Sequence, residues 1–249
     1  MARTDFLGIE FDDLSHDVVI AHVATLSQSA SFKFVVTPNV DHIVRLASER
    51  EDGPIHLAHQ SASLILCDSR ILRGLAKLCG TALSLVPGSD LTDMLLKTSL
   101  KAGDRVAIIG GNDQMLDELC SRFPGPRYYQ HIPPMGFIEN SAACEQAVAF
   151  VEGSKAHYTL LAVGYPQSER LAHLIKTRGR ATGVGLCIGA SIEFSTARKR
   201  RAPLWMQRAN LEWLFRLLAE PRRLWRRYLV EGPKVFGIVI RWRLTGKGV

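Results

Sequence analysis

Short apolar runs and segments of helical periodicity alternate along most of the chain. Phe34–Val36, Ser63–Leu66, Val106–Ile109, Tyr158–Val163 and Gly183–Ile188 are brief, apolar and bounded by Gly, Pro or polar residues, the pattern of buried strands. Between them, Asn39–Ser48, Ile71–Cys79, Leu91–Leu100, Gln114–Phe123, Ala142–Glu152 and Glu169–Lys176 carry apolar residues three and four apart, as one face of a helix does. This alternation predicts an α/β fold: a Rossmann-like, mostly parallel sheet with helices on both faces. No internal repeat, low-complexity tract or long linker interrupts it.

Composition changes that picture at one place. The chain has 249 residues, 47% hydrophobic and 22% charged, which suits an ordinary globular core. Its formal net charge is +7, yet from Arg198 onward fourteen Lys/Arg stand against three Asp/Glu, so the first 197 residues are net acidic. The break divides the chain into an α/β body, residues 1–197, and a basic helical appendage, residues 198–249. Arginines interleaved with Trp, Leu and Phe suit an anionic membrane surface or a phosphorylated lipid. The opposite reading is that Trp205, Trp213 and Trp225 pack the appendage on the body and the arginines are simply solvated.

Several function classes are disfavoured. The N-terminal MARTDFLGIEFDDLSHD lacks the layout of a secretory signal, and no apolar run approaches the roughly 20 residues needed to cross a bilayer. The expected location is cytoplasmic, touching membrane from one side. Five scattered cysteines without a CxxC pair, and eight histidines without HExxH spacing, point to neither disulfides nor a metal, and no cofactor is expected. No nucleic-acid-binding motif accompanies the basic charge, so nucleic acid is not expected as a partner.

In open α/β sheets ligands sit beyond the carboxyl ends of the strands. The loops there are Thr37-Pro38-Asn39, Cys67-Asp68-Ser69-Arg70, Gly110-Gly111-Asn112-Asp113, Gly164-Tyr165-Pro166 and Ile188-Gly189-Ala190-Ser191. Gly110-Gly111 and Gly189-Ala190-Ser191 could bring backbone amides to an anion, a nucleotide diphosphate ahead of others, or could be ordinary turns. Asp68, at the end of SLILC, is either a general base or the N-cap of the next helix. Asp41 and His42 read as a cap and a surface or packing residue, and Asp90 as a first-turn acid suited to the helix dipole. Glu169 and Glu193 are candidates for hydroxyl or base-edge recognition, with dipole support or plain solvation as the alternatives. Ser191 lacks a nucleophile-elbow sequence.

The segments DFLGIEFDDLS, TPNVDHIV, the Asp68 loop, PGSDL, VAIIGG, PPMGF, GYPQSE, GASIEF and RAPLWMQRANLEWLFRLLAEPRRLWRRYL together resemble the WecG/TagA/CpsF glycosyltransferases of bacterial envelope and exopolysaccharide assembly, over nearly the whole length. The resemblance implies a metal-independent, inverting transferase. It would move a sugar from a UDP donor to a sugar on an undecaprenyl diphosphate carrier at the inner face of the membrane. It further implies Asp68 as general base and Thr37 and Asn39 beside the donor sugar. The glycine turns (Gly110, Gly111, Gly136, Gly164, Gly189), with Ala190, Glu169 and Glu193, would line the donor site, and Arg216, Arg223 and Arg226 would reach the lipid diphosphate. Homo-oligomerisation is a further possibility. Asp68-Ser69, Ser168-Glu169, Glu193 and Leu85 stand where the family commonly has Asp-Gly, Gln-Glu, Asp and Arg. Those departures surround the donor sugar and tilt the expectation towards glucosyl transfer, with N-acetylmannosamine or its uronate as the alternative. A competing reading from another class is a non-catalytic membrane-binding module.

Overall fold

A computed structural model describes residues 3–189, 191–195, 202–209 and 211–246. The chain opens with a hairpin, β1 (Arg3–Phe6) and β2 (Ile9–Asp12), and then runs α1 (His16–Leu26), β3 (Lys33–Val36), α2 (Val40–Leu46), α3 (Pro54–Ser61), β4 (Leu64–Ile65) and α4 (Arg70–Leu78). It continues with α5 (Gly88–Met94), which widens into a π-helical stretch over Leu95–Ser99, then β5 (Arg105–Gly110), α6 (Asp113–Arg122), β6 (Arg127–His131), α7 (Ser141–Ser154), β7 (Tyr158–Ala162), α8 (Gln167–Arg178) and β8 (Val184–Cys187). The elements described beyond β8 are α9 (Ser191–Ser195), α10 (Leu204–Arg208), α11 (Glu212–Ala219), α12 (Pro221–Trp225), a π-helical stretch over Arg226–Glu231, and α13 (Lys234–Thr245).

Six strands form one sheet in the order β4-β3-β8-β7-β5-β6, every neighbouring pair parallel. The expected α/β architecture is therefore present, with helices over both faces. The faces follow from the two-residue period of a strand. Phe34 and Val36 of β3 point into a core shared with Leu161, Leu171 and Ile175, while Val35 points the other way into a core shared with Val19, Leu91 and Leu119. The five strands read from sequence are the apolar ones, four of them internal to the sheet and β4 at one edge. The sixth, β6, is an edge strand whose RYYQH sequence is only partly buried, so it carries no apolar run.

Two consequences position the site. The chain builds β3 and β4 at one edge, crosses to lay down β5 and β6, and returns to insert β7 and β8 in the middle. The loops after β3, β4, β7 and β8 therefore converge at one edge of the sheet. The last helix also returns to the body: Val235 and Val239 of α13 are buried in the same core as Phe34, and Trp242 meets Phe6 of the hairpin edge-on, ring centroids 5.3 Å apart.

Candidate active site

The loops after β3, β4 and β8 are tied to one another before any ligand enters. Thr37 Oγ1 donates to the carbonyl of Cys187 at 3.5 Å, and the Asp68 amide donates to the carbonyl of Pro38 at 3.0 Å. Both neighbouring helices are capped by other residues. Asn39 Oδ1 accepts the Asp41 amide at 3.0 Å to start α2, and Ser69 Oγ accepts the Leu72 amide at 3.2 Å to start α4. The capping alternative for Asp68 thus falls to Ser69. Asp68 Oδ1 instead accepts the amide of Gly88, at 3.1 Å, from the first residue of α5. Gly88 has to be glycine for that approach, because a Cβ there would lie 2.9 Å from Thr37 Oγ1.

Asp68 stands between two adjoining cavities and lines both. The larger, about 580 Å3, is walled by Thr37, Asn39, Gly164, Tyr165, Glu169 and Gly189 from the body and by Phe215, Arg216, Arg223 and Arg227 from the C-terminal helices. The smaller, about 330 Å3, is more apolar, with Ile71, Leu85 and Pro87 facing Trp213, Tyr228, Val235 and Phe236. Asn39, Asp41, Arg216 and Arg227 are also common to both.

Enclosure sets the protonation states. Burial pushes the Asp68 carboxyl up to about 7, opposed by the Arg216 guanidinium and the Gly88 amide and reinforced by Glu212 and Asp90. Burial likewise pushes Glu169 up to about 8. His42, stacked on Tyr165 with ring centroids 3.9 Å apart, is driven well below its ordinary range by burial and then by His59, Arg227 and Arg45. A carboxylate whose basicity is raised towards neutrality at the junction of two cavities is suited to accept a proton there.

The structure sorts the residues singled out in the sequence. Thr37, Asn39, Asp68, Gly164, Glu169, Gly189, Arg216 and Arg223 converge on the larger cavity. Gly164 and Gly189 have positive φ and face one another: a Cβ on Gly189 would come 4.0 Å from the Gly164 Cα. Gly110, Gly111, Gly136 and Arg226 line neither cavity. Packing accounts for the first two, since a Cβ on Gly110 would strike Val163 and one on Gly111 would strike Met115. Gly136, with φ of 72°, precedes the 3-10 turn Phe137–Glu139. Arg226 is exposed, and its neighbour Arg227 turns inward instead. Ala190 lies outside the described residues, and Glu193 is described only as part of the α9 backbone. Asp41 is a buried ion-pair partner, not a cap, and His42 is a buried packing residue.

Sequence reasoning gave no site role to Asp41, Tyr165, Arg227 or Tyr228. Arg227 is paired with Asp41 at 3.4 Å, from Nη2 to Oδ2. No helical spacing set Arg227 apart from the arginines around it: the chain leaves the helix at Glu220, between Arg216 and Arg223, and a π-helical stretch begins at Arg226.

A parallel α/β sheet with a basic carboxylate and a guanidinium-walled cavity at the carboxyl ends of its strands is compatible with an enzyme that transfers a group from a phosphorylated donor. The chain belongs to the WecG/TagA/CpsF family of glycosyl transferases, whose profile matches residues 4–248. It is a glycosyltransferase. The chain is 24% identical over 231 residues to the N-acetylglucosaminyldiphosphoundecaprenol N-acetyl-beta-D-mannosaminyltransferases of Staphylococcus aureus strains NCTC 8325 / PS 47 and COL, covering 90% of this chain and 88% of theirs. The protein of that name from strain MRSA252 matches to the same extent.

Proposed function

We propose that this glycosyltransferase moves an N-acetylmannosamine-type sugar from a UDP donor to a sugar carried on polyprenyl diphosphate, in the assembly of a cell-envelope or exopolysaccharide polymer. The activity named for the Staphylococcus aureus relatives favours this alternative over the glucosyl transfer to which the donor-site departures had tilted the expectation. The observation that carries the reading is Asp68, with its raised proton affinity, at the junction of a polar, glycine-walled cavity and a more apolar one roofed by the C-terminal helices.

The reaction follows from that placement. The donor sugar sits in the larger cavity beside Thr37 and Asn39, with Gly164, Glu169 and Gly189 in its walls. The acceptor hydroxyl attacks the anomeric carbon as Asp68 takes its proton. The bond from the anomeric carbon to the diphosphate oxygen breaks on the opposite side, UDP leaves, and the configuration inverts. Charge growing on the leaving diphosphate, and the diphosphate of the carrier, meet Arg216 and Arg223, with Arg227 beside them and the exposed Arg226 at the lipid headgroup level. The outward face of α13 supports a membrane-facing role for the appendage: Phe236, Ile240 and Leu244, four residues apart, are 52%, 61% and 80% exposed.

The test is transfer from UDP-N-acetylmannosamine to a lipid-linked N-acetylglucosamine acceptor by the wild type and Asp68→Asn. The variant retains donor binding and loses turnover by about 10²-fold or more. Undiminished turnover in the variant removes Asp68 as the base.

A further inference from the structure

The smaller cavity adjoins the larger one at Asp68 but contains neither Gly164 nor Gly189. Its walls carry Arg70, Ile71 and Leu85 from the body and Trp213, Tyr228 and Phe236 from the C-terminal helices. At about 330 Å3 it is at the lower end of the range for small-ligand pockets, about 300–1,000 Å3, room for the head of a lipid-linked molecule but not for its chain. The chain has an exit. Phe236 lines the cavity, is 52% exposed, and begins the outward apolar stripe that continues in Ile240 and Leu244. Of the guanidinium groups in the walls, Arg216 is paired with Glu212 at 2.9 Å and Arg227 with Asp41 at 3.4 Å. Arg70, half-buried at the start of α4, makes no ion pair with a described residue. A guanidinium beside an apolar wall with no counter-charge of its own suits an anionic group of a ligand. Trp213 meets Tyr228 edge-on, ring centroids 6.3 Å apart, which holds its indole in place. The C–H face of a pyranose is its apolar side, and a fixed indole can cover it.

We propose that the smaller cavity is the acceptor site: the acceptor's sugar packs its C–H face on Trp213 with the attacking hydroxyl turned to Asp68, Arg70 holds its diphosphate, and the prenyl chain leaves over Phe236. The inference rests on the reading that the larger cavity holds a UDP-sugar. Inversion requires the attacking hydroxyl to reach the anomeric carbon from the side opposite the departing diphosphate, and a second cavity meeting the first at the base supplies that side. Base and cation are also set at a matching separation. Asp68 and Arg70 belong to one loop, fixed between them by Ser69, whose hydroxyl caps α4. Two residues span at most about 7 Å of chain, and a pyranose holds a ring hydroxyl and its anomeric oxygen apart by a distance of that order. One short loop can therefore present the base to the hydroxyl and the guanidinium to the diphosphate of the same molecule.

Two probes separate the contacts: N-acetylglucosamine joined through diphosphate to a farnesyl chain, and farnesyl diphosphate, which lacks the sugar. Their binding to the full chain would be measured by calorimetry, first with and without UDP for the wild type, then in saturating UDP for each variant. The affinity for UDP itself shows that a variant is folded. For the wild type, UDP leaves the affinity for the sugar-bearing probe undiminished, because the two occupy different cavities. Trp213→Leu weakens the sugar-bearing probe about tenfold and leaves farnesyl diphosphate unchanged. Arg70→Gln weakens both about tenfold or more, and Arg70→Lys recovers part of that loss. Leu85→Trp fills the cavity and abolishes binding of both at unchanged UDP affinity. Displacement of the sugar-bearing probe by UDP overturns the inference, as does wild-type affinity for it in Trp213→Leu or Arg70→Gln. A loss in Trp213→Leu that is equal for the two probes places the indole on the chain and also overturns it. The competition with UDP uses the wild type alone, so it decides the matter even if a variant does not fold. A wild type that binds UDP but neither probe overturns the inference, whereas one that binds neither UDP nor a UDP-sugar overturns the proposed function.

Discussion

Arg227 Nη2 lies 3.4 Å from Asp41 Oδ2, and Arg45 Nε approaches the same oxygen at 3.3 Å. Asp41 is 9% exposed and belongs to the first turn of α2, directly after the Asn39 cap, so the pair ties the C-terminal helices to the loop that also contributes to the larger cavity. Val235 and Val239, buried in the core, add an apolar attachment between α13 and the body. Arg227 lines both cavities, as Asp68 does.

Cutting that tie should loosen the roof without unfolding the body. Arg227→Gln is expected to lower kcat/KM for the lipid-linked acceptor about tenfold, which is about 1.4 kcal/mol. UDP binding should change little, since Arg216 and Arg223 remain. Asp41→Asn should have a similar effect, and the double variant should be no worse than either single one, the mark of a direct pair. Steady-state kinetics on the four proteins checks it; additive losses would show that the two side chains act separately.

If Asp68 is the proposed base, it should set both a rate and a stability profile. As a base it works only when deprotonated, so kcat/KM should rise with pH to a limb near 7, the value to which burial pushes it. Folding runs against this. An unfolded aspartate ionises near ~4. From there to about 7 the folded chain therefore holds a proton that the unfolded chain has released, and stability falls as pH rises through that window. Asp68→Asn, which cannot ionise, should melt a few degrees above the wild type at pH 8 and show little difference at pH 4. Thermal unfolding at the two pH values tests the sign.

How much of this was legible in the sequence depends on whether a residue's role is local. The central strands stood out because Val35, Ile108 and Leu160 are buried in a core on one face while Phe34, Ile109 and Leu161 are buried on the other, which writes a continuous apolar run. The edge strand β6 and the polar helix α3 have no such run. Asp68 could be picked out, but not told from a cap, because that depends on whether Ser69 takes the Leu72 amide. Gly110-Gly111 and Gly164 look alike as loop glycines. What separates them is the insertion of β7 and β8 between β3 and β5, which brings Gly164 and Gly189 to the cavity and leaves Gly110 packed against Val163. Arg227 was hidden among arginines of equal composition, because the π-helical stretch from Arg226 departs from the regular helical period.

Gly88→Ala is a probe of how tightly the base is held. The added methyl would lie 2.9 Å from Thr37 Oγ1 and 3.6 Å from Ser191 Oγ, so Thr37 has to move or α5 has to withdraw its first amide from Asp68. Overpacking of this kind costs about 1–3 kcal/mol. A folded protein with kcat lowered about tenfold or more and an acidic limb shifted upward is the expected result, since the Gly88 amide opposes protonation of Asp68. Wild-type kcat with an unmoved limb would show that this hydrogen bond does not set the basicity of Asp68.

The outward face of α13 gives the membrane assignment its most direct test. No helix among the described residues is long and apolar enough to cross a bilayer. Phe236, Ile240 and Leu244 form an apolar stripe with exposed Arg241 and Arg243 alongside, while Val235 and Val239 anchor the opposite face in the core. Because these positions are exposed and line neither cavity, Ile240→Glu with Leu244→Glu should change folding stability by no more than about 1 kcal/mol. Binding to vesicles containing anionic phospholipid should fall at least tenfold, from loss of apolar insertion and from two carboxylates placed against a negative surface. Arg241→Gln with Arg243→Gln should weaken binding less, by about 1 kcal/mol per arginine at low salt, and the loss should shrink as salt rises. Transfer to a short-chain, detergent-soluble acceptor should survive in both double variants while transfer to acceptor in vesicles falls with binding. Equal vesicle binding by wild type and the Glu double variant would remove α13 as the membrane-facing element.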